Sequence, residues 1–291
     1  MKPRGRIRRK HLLICVLIGA GVVSACSPAS QGGIETVVPK HASTLIAHRG
    51  ERTWDLVALG DSTPTGYGVG GEASYVQVYA GYIEDDLGVD VAVHNWATNE
   101  IRRVADWVEA VRTNAELRDD IRDAEVITMW LGWHDVIPRI LMGRLSSCYE
   151  GREGVDVDCL EEATSPMEDG FDHLLSEIVS LASPDETLIL IADTGIPARF
   201  VETWKQDGTF DVTKEHAYEV WRNYIVQAAS RHGVHVVRTY EVINGRSGDQ
   251  PLPPEYWQPD RLHFSEQGHR LIADLHRKLG YGHSPAQRIP G

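Results

Sequence analysis

Two hydrophobic patterns alternate along the chain. Short, nearly uninterrupted apolar runs occur at 54–59, 89–95, 125–131, 187–192 and 234–237, each bounded by turn or polar residues. Runs of that length predict strands buried on both faces. Between them, apolar residues recur every three or four positions, the spacing of an amphipathic helix. Ser74–Gly88 places Val76, Tyr79, Ala80, Ile83 and Leu87 on one face and Glu84, Asp85 and Asp86 on the other. Ile101–Val111 does the same with Ile101, Val104, Ala105, Val108 and Val111. Ser165-Pro166-Met167-Glu168 predicts a helix start, with an N-cap, a proline in the first turn and a capping-box glutamate. Its stripe is Met167, Phe171, Leu174, Leu175, Ile178 and Leu181, and 214–231 carries another on Ala217, Val220, Trp221, Tyr224, Ile225 and Ala228. Ser265 caps a last helix built on Leu271, Ile272, Leu275 and Leu279 and ended by Gly280.

Five strand-then-helix alternations predict an α/β fold, a three-layer α/β/α sandwich around a five-stranded parallel sheet. No internal repeat and no second core interrupt it. The expected organisation is one domain over 51–282 with an insertion at about 138–164, a polar tether over 26–50 and a tail over 283–291.

The first residues do not fit that fold. Lys2, Arg4, Arg6, Arg8, Arg9 and Lys10 precede an apolar stretch, His11 to Val23, too short to span a membrane, and then Ser24-Ala25-Cys26. The order resembles a bacterial lipoprotein signal, with residues 1–25 removed and Cys26 lipidated. A plain signal peptide and an uncleaved anchor stay open, and Arg8-Arg9 is compatible with twin-arginine export. The chain carries 29 Lys and Arg against 42 Asp and Glu, and six of those basic residues sit in the leader. So acidic a body excludes nucleic acid as a partner and leaves covalent lipid as the means of anchoring. The expectation is a monomer, exported and lipid-anchored at the extracytoplasmic face of the cell membrane, touching it only through the N-terminal lipid. In that oxidising compartment Cys148 and Cys159 are natural disulfide partners, with no second pair at zinc-ligand spacing.

Chemistry first shows at Gly60-Asp61-Ser62, where the first apolar run ends in a glycine-rich loop. Open α/β sheets bind ligands at the carboxyl ends of their strands, so Ser62 is a candidate nucleophile. Serine needs a base, an acid to orient that base, and donors for the developing oxyanion. Asp260-Arg261-Leu262-His263 offers the acid and base in one turn. Ser62, Ala97 and His134 follow strands one, two and three, and Asp260 and His263 follow strand five, so a parallel sheet brings all of them to one edge. The Gly-x-Ser-x-Gly elbow of ordinary α/β-hydrolases is missing.

With these residues in view, the chain resembles the SGNH (GDSL-type) hydrolase family over about 54–280. Gly60-Asp61-Ser62 matches its first block and Asp260-x-x-His263 its last. Asn95-Trp96-Ala97 stands where the family has Asn-x-Gly, and Gly132-Trp133-His134-Asp135 where it has Gly-x-Asn-Asp. The resemblance implies a flavodoxin-like SGNH fold and a serine esterase with a Ser62-His263-Asp260 triad working through an acyl-enzyme. The oxyanion hole would be the N–H groups of Ser62 and Ala97 with the His134 imidazole, and no cofactor or metal is required. Expected substrates are small-molecule, glycan or lipid esters. The altered middle blocks keep open a catalytically weakened lipoprotein that binds a glycan or acyl ligand. Asp61 and Asp135 read as structural acids. Trp96, Trp133 and Trp257 are either pocket walls or core, and the cysteine-bearing insertion is expected near the substrate mouth.

Overall fold

The computed structural model describes residues 53–136, 147–150 and 154–282. The leader with Cys26, the tether and the tail lie outside them. Strands β1 (Thr53–Gly60), β2 (Asp90–Asn95), β3 (Val126–Trp130), β4 (Leu188–Ala192) and β5 (His235–Val237) form one sheet in the order β2-β1-β3-β4-β5. Every neighbouring pair is parallel. Helices of eight residues or more are α1 (Tyr75–Leu87), α2 (Val104–Thr113), α3 (Ala115–Asp123), α4 (Val157–Thr164), α5 (Pro166–Leu181), α6 (Ala198–Asp207), α7 (Glu219–His232) and α8 (Glu266–Arg277). The sheet order is the flavodoxin-like one.

Side-chain alternation sorts the core into two layers. Leu56, Ala58, Val126, Trp130, Leu188 and Leu190 face α1 and α8. Val57, Leu59, Ile127, Met129, Ile189 and Ile191 face α2, α5 and α7. All of β3 and β4 is buried, which is why those runs show no polar alternation, whereas the edge strand β2 is half-buried. Ser265 caps α8 as expected, accepting from Gly268 N, a bond worth about 1 kcal/mol.

Tertiary contacts overrode local pattern in two places. The helix expected from Ile101 begins at Val104, because Arg102 N–H is drawn to His134 Nδ1, and Ile101 is 73% exposed. Ser165 is not a cap but helical, with its N–H donated to Glu161 O, because α4 runs straight into α5. Asp156 caps that pair instead. Helices α3, α4 and α6 were not foreseen. In α3 only Leu117 and Ile121 are buried, too sparse a stripe to register.

Cys148 and Cys159 form the disulfide, with Cα atoms 5.3 Å apart. Beside it, Tyr149–Glu150 pairs antiparallel with Gly154–Val155, and Cys148 and Leu160 are buried in the α2/α5/α7 layer.

Candidate active site

The nucleophile turn is shaped by one close approach. Gly60 pairs with Trp130 and has φ +149°, and a Cβ there would lie 2.1 Å from Trp130 O. Only glycine permits that crossing, after which Asp61 N donates to Trp130 O at 3.2 Å. The Asp61 side chain accepts from Thr63 N at 3.1 Å and so caps the single helical turn Ser62–Thr65. Ser62 O in turn accepts from Tyr67 N at 3.1 Å and from Thr65 Oγ1 at 2.8 Å. Burial pushes the Asp61 carboxyl up to about 7, against smaller opposing backbone bonds, and its Oδ2 has no partner among the described residues. Asp61 is the structural acid that the sequence implied.

The base turn is equally well fixed. His263 Nδ1 lies 2.6 Å from Asp260 Oδ2, while Asp260 Oδ1 accepts from Leu262 N at 2.9 Å and His263 N at 3.1 Å. Burial would raise the Asp260 pKa, but the imidazole and the two N–H groups outweigh it and hold the carboxyl below its ordinary value. Such a bond makes Nδ1 the donor and leaves Nε2 as a basic lone pair. Arg261 sits at φ +60° in this turn. The Tyr67 ring lies against His263, with centroids 4.4 Å apart and planes 40° from parallel.

The third group comes from the end of β3. His134 Nδ1 lies 3.1 Å from Arg102 N and 3.3 Å from Arg102 O. A ring that accepts from Arg102 N carries its proton on Nε2, and one that donates to Arg102 O carries it on Nδ1. Burial lowers the His134 pKa, against a smaller opposing effect from its bond to Arg102. Asp135 accepts from Val104 N at 3.1 Å and so ties this turn to the start of α2. Burial raises the Asp135 carboxyl to about 6.

Ser62, His134 and His263 line one cavity of about 310 Å³. Its walls include Tyr67, Trp133, Pro197, Phe200, Leu262 and Phe264, so it is mostly apolar around a few polar groups. The β4 side is held by two buried polar clamps. Asp193 accepts from Thr239 N at 2.7 Å, Tyr240 N at 3.0 Å and the Arg222 guanidinium at 3.0 Å. Asn244 brackets Ile196, accepting from its N–H and donating to its O, both at 2.7 Å.

Three expected contributors fall elsewhere. Ala97 is not part of the cavity lining, and its N–H is already donated to Asn95 Oδ1 at 3.1 Å, an Asx turn that short polar side chains favour. Asn99, two residues on, lines the cavity instead, with its Oδ1 2.8 Å from Thr65 Oγ1. Trp96 leans on the α2/α5/α7 layer and donates to Asp120 Oδ2 at 2.7 Å. Trp257 is buried behind Phe264, stacked on it at 4.6 Å, with its N–H on Leu252 O. Of the three tryptophans only Trp133 is a wall. No described residue of the insertion lines the cavity, and 137–146 and 151–153 lie outside the described residues. Sequence reasoning missed Tyr67, Asn99 and Phe200. Tyr67 carried a signal, an aromatic ring in the glycine-rich loop just after Ser62, whereas Phe200 sits on the unforeseen α6.

A model of the GDSL-like lipase/acylhydrolase family matches residues 58–271, from within β1 into α8. The chain belongs to that family. The matched span holds Ser62, His134, Asp260 and His263, and membership makes the protein a hydrolase of ester bonds, of the lipase and esterase kind. A search of curated proteins returned no match. Among solved structures, a lipase from a goat rumen metagenome is 23% identical, with TM-score 0.61 over 79% of this chain and 98% of its own. An acetyl xylan esterase from Geobacillus stearothermophilus is 16% identical, with TM-score 0.53 over 82% and 97%. A lipase/acylhydrolase from Enterococcus faecalis is 16% identical, with TM-score 0.51 over 81% and 100%. At these identities the likeness carries the fold, which agrees with the family's.

Proposed function

We propose that this GDSL-family enzyme is a serine esterase using Ser62, His263 and Asp260 through an acyl-enzyme. His263 Nε2 takes the proton of Ser62 Oγ as the oxygen attacks the ester carbonyl. Asp260 keeps Nδ1–H in place and stabilises the imidazolium that forms. Negative charge on the carbonyl oxygen is met by Ser62 N–H and by His134 Nε2–H, with Asn99, in the loop after β2, taking the cavity position expected of Ala97. His263 then returns the proton to the departing alcohol oxygen, and the carbon–oxygen bond breaks to leave acyl-Ser62. Water, deprotonated by His263, reverses these steps and frees the acid. Nothing in this sequence calls for a metal or an organic cofactor.

The observation that carries this reading is the 2.6 Å bond from His263 Nδ1 to Asp260, at the rim of the cavity that Ser62 lines. It also favours catalysis over a domain that only binds, because a binding site has no use for an oriented imidazole that shares its cavity with a serine. His134 does not leave the family's asparagine position without a donor, since the neutral tautomer that accepts from Arg102 N offers Nε2–H. In Ser62→Ala, turnover of p-nitrophenyl acetate should fall on the order of 10⁴-fold or more with the fold unchanged. Parental turnover by that variant would sink the mechanism.

A further inference from the structure

The two reacting turns come from opposite ends of the domain, and one side chain joins them. The Gln258 amide nitrogen donates to Tyr67 O at 2.5 Å and to Phe264 O at 3.1 Å. Its backbone N–H donates to His263 O at 2.8 Å, and its own carbonyl accepts from Arg261 N at 2.9 Å. Tyr67 N–H is bonded to Ser62 O, and Phe264 follows His263 in sequence. The connection therefore runs from the Ser62 carbonyl through Tyr67 and Gln258 to the carbonyls of His263 and Phe264.

A second observation shows that the neighbouring chain is shaped to receive this side chain. Gly68 has φ +79°, and a Cβ there would lie 2.1 Å from Gln258 Oε1. Gly68 must lack a side chain for the amide to lie flat against the loop. The same contact places the Tyr67 ring, 47% exposed and part of the cavity wall, on one face of His263.

We propose that Gln258 is a positioning residue that locks the base turn to the nucleophile turn and, through Tyr67, seats His263 for proton transfer. The proposal rests on the reading that Ser62 and His263 react. The chemistry favours an amide here. One nitrogen carries two N–H donors, enough for one carbonyl on each turn, whereas an ionised carboxylate has none. Proton transfer is sensitive to ångström-scale displacement, and an error of about 1 Å costs on the order of 100-fold in rate. Asp260 orients His263 within its own turn but does nothing to hold that turn beside Ser62.

The test uses the full purified chain and two variants of similar side-chain size, Gln258→Leu and Gln258→Glu. Turnover of p-nitrophenyl acetate, the rate of fluorophosphonate labelling at Ser62 and the thermal midpoint are measured for each. Both variants should lose about 10- to 100-fold in kcat with KM within about threefold, and labelling should slow by the same factor. The thermal midpoint should move only a few degrees. Relative to wild type at the same pH, Gln258→Glu should recover part of its loss as acid protonates the new carboxyl, which then has one O–H to donate. Activity within twofold of wild type in either folded variant would overturn the proposal, as would a loss carried mainly by KM. Should Gln258→Leu not fold, the Glu variant and its pH recovery decide alone. If wild type is not labelled at Ser62, the catalytic reading and this proposal both fall. If wild type is labelled and Gln258→Leu is labelled as fast, only the role of Gln258 fails.

Discussion

His263 and His276 flank the same helix and are put to opposite uses. His263, just ahead of α8, is half-buried at the cavity with a carboxylate on Nδ1. His276, in the last turn of α8, is fully buried, with Nδ1 2.8 Å from Ile272 O and Nε2 3.0 Å from Thr128 Oγ1. The Ile272 carbonyl makes Nδ1 the protonated nitrogen, so Thr128 donates to Nε2 and receives the Tyr75 hydroxyl at 3.2 Å. Every polar atom in that chain has a partner, and no carboxylate takes part. Burial drives the His276 pKa to about 4, and that of His269, which accepts from Tyr75 N, to about 4 as well. Imidazole serves as a base where a carboxylate orients it beside open space. Sealed between a helix and a sheet, the same group is a neutral polar strut.

The comparison breaks most sharply at Asp260. Asp260→Asn should cost about 10⁴-fold in kcat, because an amide no longer holds the Nδ1–H tautomer. A loss of less than tenfold would show that His263 needs no carboxylate and that its difference from His276 is only one of exposure. His134→Ala comes next, with an expected loss of about 10²- to 10³-fold in kcat and little change in KM, as for other single oxyanion donors. His134→Asn should retain much of the activity, and equal kinetics for Ala and wild type would make His134 a packing residue like His276. Thr128→Val should be smaller and of a different kind. It leaves His276 Nε2 and the Tyr75 hydroxyl unpaired in the core, destabilising by about 1–3 kcal/mol in denaturant unfolding while kcat stays within about twofold. A larger fall in kcat than in stability would tie the buried network to the chemistry.

The pH dependence of stability sharpens the contrast. The unfolded chain protonates His269 and His276 near the ordinary value of 6.5, whereas the folded protein keeps them neutral down to about 4. Their contribution is therefore fully present above 6.5 and is lost as pH falls from there towards 4. Asp61 and Asp135, raised to about 7 and about 6 from 3.8, run the other way and weaken the fold as pH rises through that window. In His276→Gln the acid-side loss of unfolding free energy between pH 6.5 and 4 should be shallower than in wild type. An unchanged slope would mean that His276 does not titrate as its burial requires.

Much of this was legible before any coordinates. Apolar runs of five strands, set between amphipathic stretches, determined the parallel sheet, because fully buried strands and half-buried helices leave different periodicities. That sheet implied a common edge for Ser62, Ala97, His134, Asp260 and His263, and the structure brings Ser62, His134 and His263 to one cavity, with Asp260 bonded to His263 and Ala97 outside the lining. Cys148 and Cys159 were paired from the expected compartment and the lack of a second pair at zinc-ligand spacing, and they form the disulfide. Periodicity was blind to α3 and α6, whose buried stripes are two or three residues wide, and to α4, which made Ser165 helical rather than a cap.

What only the tertiary structure decided concerns atoms that local sequence does not constrain. Asn95 and Ala97 were adjacent letters until the Asx turn consumed the Ala97 N–H and passed the cavity position to Asn99. The Arg102 backbone, across the gap between β3 and α2, sets both an N–H and a carbonyl beside His134 Nδ1. Trp133, Trp96 and Trp257 were equivalent as letters, and packing made Trp133 a cavity wall, buried Trp257 and left Trp96 half-buried against Asp120. Gln258 gave no signal at all, since the two partners of its side chain are backbone carbonyls whose identity no sequence records. The residue types that do chemistry were set by the sequence. The distances that let them act were set by hydrogen bonds between backbone segments far apart in the chain.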